Sequence, residues 1–259
     1  MAERHGGRTA IQGRQAQRQA LSQLELLVVI AIIALLLAVL LPSLSKVRAA
    51  TRQVLCAQNL RQWANAWQMY RGDYHDYLAT EGTYLNMEKP HTWFTVLPPY
   101  LGLPPYTEFE RRGNQIVELP NIHVWICPEK NLTDLAFSNT GKNQFHYAMN
   151  RVLDGTGRDD GGSVTPGFPD MGDDPLPARR FERRVHSTVL MFDTAPNVPH
   201  GDPRAAGRVH DRGANVLFLS GTIERFDVTR FVTDGDWENG QIIWDDPKLY
   251  WGYTPPEGG

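Results

Sequence analysis

The chain has 259 residues, with 26 Lys and Arg against 29 Asp and Glu, a formal net charge of -3 and two cysteines. That length supports one sizeable globular core rather than two. The acidic balance argues against binding of a nucleic-acid phosphate backbone as the main role, and two widely separated cysteines match no defined zinc motif.

Residues 1–20 carry Arg4, Arg8, Arg14 and Arg18 against the single acid Glu3, so this leader contributes +3 of formal charge and the rest of the chain carries -6. A basic flank of this kind stays in the cytoplasm by the positive-inside rule. Lys46, Arg48 and Arg52 on the other side compete with that orientation, but a long polar domain can be translocated past them. The uncharged run Leu26 to Leu41 contains sixteen residues and spans about 24 Å as a helix, enough to cross a bilayer with local thinning. Leu21, Leu24 and Leu44 extend it, and Glu25 is its only ionisable group before Lys46. No small-residue cleavage site follows the apolar core, so the stretch is expected to remain in the mature protein rather than leave with a signal peptide.

A carboxylate at the mouth of a membrane helix is costly unless something neutralises it. Glu25 therefore reads either as a pairing group for another subunit or as a side chain reaching the headgroups. Pro42 lacks an amide donor and clashes with the carbonyl four residues earlier, which predicts a bend or a helix end. Helical spacing resumes beyond it with Leu44, Val47, Thr51 and Val54, then Leu60, Trp63, Trp67 and Tyr70, while Arg48, Arg52, Gln53 and Arg61 take the opposite face. The pattern predicts one long helix from about Leu24 to Tyr70, its outer half amphipathic and packed on a globular domain.

Short apolar runs punctuated by Gly, Pro, Asn and Asp follow, and predict strands at Ile122 to Cys127, Gln144 to Met149, Thr188 to Phe192, Ala214 to Leu219 and Thr222 to Val228, with another near Gln241 to Trp244. The expected fold class is α+β, the helix lying across an antiparallel sheet. The last two long strands flank Ser220-Gly221, a two-residue hairpin signal, and His210 reads as a hydrogen-bonding residue at the hairpin base. Cys56 and Cys127 are expected to pair if the domain lies in an oxidising compartment; otherwise they are two separate buried thiols.

Residues 153–180 lack periodicity and hold Asp154, Asp159, Asp160, Asp170, Asp173 and Asp174 among glycines and prolines. This reads as a solvated acidic loop. Calcium is the one cofactor its oxygen-rich side chains would suit, although no calcium-loop spacing fits. Asp193, His200, Asp202, His210 and Asp211 form the densest set of metal-capable groups, but at no defined zinc spacing. No nucleophile-elbow or phosphate-loop motif occurs. No catalytic residue is assigned, and a membrane-anchored exported hydrolase or metal-binding domain is the alternative reading. The tail Tyr253 to Gly259 reads as frayed.

The segment from Ala20 through Leu21 and Glu25 to Ala34 resembles the processing signal of type IV prepilins and type II secretion pseudopilins, with Ala20 and Leu21 where glycine and phenylalanine are usual. The resemblance implies cleavage after Ala20 by prepilin peptidase, an N-methylated Leu21, Glu25 as the assembly carboxylate and Pro42 as the bend. Cys56-Ala57-Gln58-Asn59-Leu60-Arg61-Gln62, Cys127-Pro128, His146 to Asn150 and Val189 to Asp193 are similar to a large pseudopilin-like group of diderm bacteria. That group ends in a His, nine residues, then Asp-Gly; here His210 precedes Ser220-Gly221 by the same spacing. The implied organisation is a leader over 1–20, a transmembrane assembly helix over 21–45, and a pilin-like head over 46–259 in the periplasm or outside. The expected partners are other copies, other pilin-like subunits and inner-membrane assembly machinery, with no nucleic acid.

Overall fold

The computed structural model describes residues 23–80, 91–108, 121–129, 145–153, 178–194, 200–201, 203–206, 210, 213–235, 241–243 and 246–252. The chain divides into two compact units, Met1–Val47 and Arg48–Gly259. Among the described residues it combines one long helix with one sheet, an α+β arrangement.

Helix α1 spans Gln23–Asp73 and contains Pro42. It ends where His75 and Asp76 both adopt left-handed backbone, with φ of 54° and 66°. Asp76 donates its amide to the Arg71 carbonyl at 2.8 Å, and its carboxylate accepts from Arg71 Nε at 2.7 Å. In the second unit one face of α1 is buried through Cys56, Asn59, Leu60, Trp63, Ala64, Ala66, Trp67 and Tyr70. Rings of this size bury roughly 150–250 Å² each at roughly 25 cal/mol per Å², so this aromatic stripe dominates the docking of the helix. Trp63 packs edge-on against Trp93 and Trp125 with centroids 5.3 and 4.8 Å away. Trp67 donates its indole N–H to Met191 Sδ at 3.0 Å.

The sheet holds β1 (Tyr147–Asn150), β2 (Val189–Asp193), β3 (His200–Gly201), β4 (Gly213–Phe218) and β5 (Ile223–Asp227), in the order β3-β1-β2-β4-β5. Four strands are antiparallel. The edge strand β3 runs parallel to β1, pairing Met149 with His200 and Asn150 with Gly201, which corrects the expectation of a purely antiparallel sheet. Its close approach depends on glycine: a Cβ on Gly201 would stand 2.4 Å from Ala205 Cβ and 3.0 Å from the Phe192 ring.

Both sheet faces are covered. Tyr147, Met149, Leu190, Met191, Leu217 and Leu219 join the core built on α1, whereas Ala148, Val189, Phe192, Ala214, Val216, Phe218 and Phe226 join a second core with Phe231, Leu249 and Trp251. β2 departs from strict alternation because Val189 pairs with Phe218 while Met191 pairs with Leu217, leaving Leu190 as an extra residue. The bulge turns Leu190 and Met191 to the same core, while Val189 and Phe192 reach the other.

Several sequence expectations are corrected. Ile122–Trp125 is a 3-10 helix, not a strand, entered through left-handed Asn121 and closed by Val124 N donating to Asn121 O and Ile126 N to His123 O. Its β-branched and aromatic residues serve packing, since Ile122, Val124 and Trp125 are all buried. Around Gln241 to Trp244, Ile242 makes a single bridge to Val232 rather than a strand; Trp244 lies outside the described residues, as does Gln144. The β4–β5 connection is also longer than Ser220-Gly221. Leu219 leaves the hairpin ladder, buries its side chain and donates its amide to Thr188 O at 2.9 Å, while Phe218 N donates to Thr222 O at 2.9 Å.

Candidate functional site

Two regions carry the candidate functional residues, one in each unit. In the first, Glu25 lies in the opening turn of α1, and every described residue through Leu44 is exposed. This helix is long and apolar enough to cross a membrane. It continues through Pro42, so that proline is not a helix end. Pro42 offers no N–H to the Ala38 carbonyl. Just beyond it, Ser43 Oγ donates to Leu40 O at 2.7 Å and Ser45 Oγ donates to Pro42 O at 2.9 Å, placing hydroxyl donors on carbonyls next to the interrupted ladder.

The second region is a buried polar cluster between α1 and the sheet. Cys56 of α1 and Cys127, just after the 3-10 helix, form a disulfide with Cα atoms 5.1 Å apart. The bridge closes a separation of 71 residues, for which chain-entropy reasoning gives about 4 kcal/mol of stabilisation. An ion pair flanks it: Arg52, one turn before Cys56, donates from Nε and Nη2 to the Glu129 carboxylate, two residues after Cys127. The hydrogen bonds from Arg52 hold the Glu129 carboxyl below its ordinary value.

On the sheet side, Asp193 at the end of β2 is fully buried, and its Oδ2 accepts from Asn215 N at 3.0 Å and Asn215 Nδ2 at 2.7 Å. His210 Nε2 lies 3.2 Å from the same oxygen and 3.4 Å from Cys127 Sγ. His210 exchanges backbone hydrogen bonds with Gly213 at 3.3 and 2.7 Å and accepts at its carbonyl from Arg225 Nη2 at 3.0 Å. Cys127 N donates to His146 Nδ1 at 2.9 Å, so that ring nitrogen carries no proton. Asn59, one turn after Cys56, places Nδ2 2.8 Å from the carbonyls of His123 and Ile126 and 3.1 Å from the Tyr147 hydroxyl. Burial, with the nearby Asp193 carboxylate, pushes the Tyr147 phenol well above its ordinary value.

This arrangement holds elements together: the helix through Cys56 and Asn59, the 3-10 segment through its carbonyls and Cys127, the sheet through Asp193, Asn215 and Tyr147. Buried polar groups cost little only when satisfied, and each donor here reaches across to a different element. With Asp193 fully buried and His210 3% exposed, a substrate would have to open the core to meet them.

Of the metal-capable residues singled out in the sequence, the structure brings Asp193 and His210 together. The His200 backbone lies in β3, and Asp202 and Asp211 lie outside the described residues. So do the junction Ala20–Leu21, the leader 1–20, the acidic loop from Asp154 to Asp174 and the tail 253–259. Ser220 and Gly221 occupy the hairpin turn: Thr222 N donates to Ser220 Oγ at 3.3 Å, the local bond an aspartate would also make. Asn59, His146, Tyr147 and Asn215 were not assigned from sequence as members of one site. Asn59 stands one turn from Cys56 and Asn215 five residues after His210, yet neither spacing reveals a shared partner. Comparison of the chain with family models, curated proteins and solved structures gives no match.

Proposed function

We propose that this chain is a pilin-like structural subunit, anchored in the inner membrane by the first part of α1 and assembled through it into a type II secretion or type IV pilus-like filament. The observation that carries the reading is the composition of α1. It is apolar and exposed from Leu26 to Leu41, carries Glu25 in its first turn, and buries an aromatic stripe only from Cys56 onward. An apolar surface of that length is unstable in water, and lipid or neighbouring helices of the same kind remove the cost.

In this reading residues 1–20 stay in the cytoplasm, prepilin peptidase cuts after Ala20, and the unit from Arg48 onward lies in the periplasm or outside. Glu25 faces the new amino terminus at Leu21 of a neighbouring subunit, because a carboxylate in hydrocarbon is tolerated when a fixed positive charge is desolvated with it. Pro42 softens the helix where the apolar span meets the polar part of the chain. The buried disulfide cluster is structural, keeping the helix joined to the sheet during export and assembly.

The test is Glu25→Gln in the native host. The variant should insert in the membrane at normal level while sheared surface filaments fall at least tenfold. Filaments of unchanged yield and subunit spacing would remove the basis of the reading. Turnover of a hydrolysable substrate that depends on His210 would favour an exported hydrolase instead.

A further inference from the structure

We propose that Cys56, Cys127, His210 and Asp193 form a zinc site that the disulfide closes in the oxidised chain and that opens when the disulfide is reduced. The ligand atoms of Cys56, Cys127 and His210 lie within 4.8 Å of one another, and all three residues are buried. Tetrahedral zinc, with Zn–S about 2.3 Å and Zn–N about 2.0–2.1 Å, needs edges of about 3.6 Å between sulfur and nitrogen and about 3.4 Å between nitrogen and oxygen. The distances present are 3.4 Å from His210 Nε2 to Cys127 Sγ and 3.2 Å from His210 Nε2 to Asp193 Oδ2. Two edges of such a site, from His210 Nε2 to Cys127 Sγ and to Asp193 Oδ2, thus already stand close to the required length; the two sulfurs must separate, to about 3.8 Å. With the two Cα atoms 5.1 Å apart, rotation about the Cα–Cβ bonds supplies that separation.

A second observation concerns the acceptor capacity of the same carboxylate. Asp193 Oδ1 is buried and has no hydrogen-bond partner among the described residues, although an ionised carboxylate can accept on both oxygens. Asp193 Oδ2, the oxygen 3.2 Å from His210 Nε2, is oriented by both Asn215 donors, and the His210 backbone is fixed by Gly213 and Arg225. Outer contacts of this kind are what hold metal ligands in place. Two thiolates and an imidazole select zinc over calcium or magnesium.

The chemistry balances as follows. A dithiol reductant donates two electrons and two protons; the Cys56–Cys127 S–S bond breaks, two thiols form, and the reductant leaves as a disulfide. Zinc then displaces both thiol protons, and neutral His210 binds through Nε2 with its proton moved to Nδ1. Two protons are released per zinc bound, so affinity rises with pH.

The experiment uses the full chain in detergent, oxidised or reduced with a phosphine in place of the dithiol, and then titrated with Zn2+ against a chromophoric chelator or with Co2+. The reduced protein should bind one equivalent of zinc, and Co2+ should give tetrahedral d–d absorption with a thiolate charge-transfer band; the oxidised protein should give neither. His210→Ala should weaken binding at least a hundredfold, and Asn215→Ala by about ten- to a hundredfold. Circular dichroism follows folding throughout. A reduced protein that stays folded and binds no more zinc than the oxidised one overturns the site, and so does equal affinity in His210→Ala. Should reduction unfold the chain, one equivalent of zinc must refold it; failure to do so overturns the site as well.

Discussion

At the scale of single residues, burial decides what each polar group does. Asp193 and His210 carry the chemistry of an acid–base pair, but both lie inside the core, where their hydrogen bonds tie β2 to the segment before β4. Glu129 shows the opposite regime, since its carboxylate and the Arg52 guanidinium remain partly exposed. The folded value of Glu129 is lowered chiefly by hydrogen bonds from Arg52, so its contribution is present above the ordinary glutamate value of about 4.3 and is lost as pH falls through the lowered folded value. Glu129→Gln should therefore be less stable than the parent at neutral pH, with the difference vanishing on acidification. Urea midpoints across the acid limb measure this, and a difference independent of pH would disprove it. Solvent screening keeps the effect small.

At the scale of elements, local signals and neighbouring elements compete. The β4–β5 turn keeps the glycine the sequence demands, because Gly221 has φ of 85°. Yet the turn is reset by Leu219, whose amide and side chain are claimed by Thr188 and the core. A Cβ at position 221 would stand 3.0 Å from Gln68 Nε2 of α1, a flexible side chain that can move, so the backbone conformation sets the cost. Gly221→Ala should lose about 1–2 kcal/mol in chemical denaturation with no change of fold. Equal stability would show that the turn relaxes into another conformer. The same competition explains Ile122–Trp125, where alternating apolar residues suggest a strand but a 3-10 helix buries Ile122, Val124 and Trp125, and among the described residues the segment pairs with neither edge strand, β3 or β5.

At the scale of the whole molecule, the two compact units pose different physical problems. In the first unit the described apolar side chains from Gln23 to Val47 are exposed, whereas the unit from Arg48 buries an aromatic core and a covalent bridge. The proposed assembly resolves the first by replacing water with lipid and neighbouring subunits. The proposed processing belongs to this scale, since cleavage after Ala20 would set a new amine near Glu25. Mass spectrometry of the protein purified from assembled filaments should find a chain starting at Leu21, methylated at its amine. Assembled material with an intact Met1 would indicate a plain anchored domain.

The sequence by itself determined the long helix and the main strands, because periodicity in apolar residues follows directly from 3.6 residues per turn and from two-residue alternation. It therefore placed Glu25 and Pro42 in α1, four of the strands to within a residue or a few, and the apolar exposed run. Only the tertiary structure decided what the intervening segments do. The parallel edge β3 depends on space above Phe192, the bulge at Leu190 on two cores competing for one strand, and the disulfide cluster on side chains brought together from α1, Cys127, β1, β2 and the residues around β4. Such contacts link positions far apart in the chain, and no local spacing records which distant groups share a buried oxygen or sulfur.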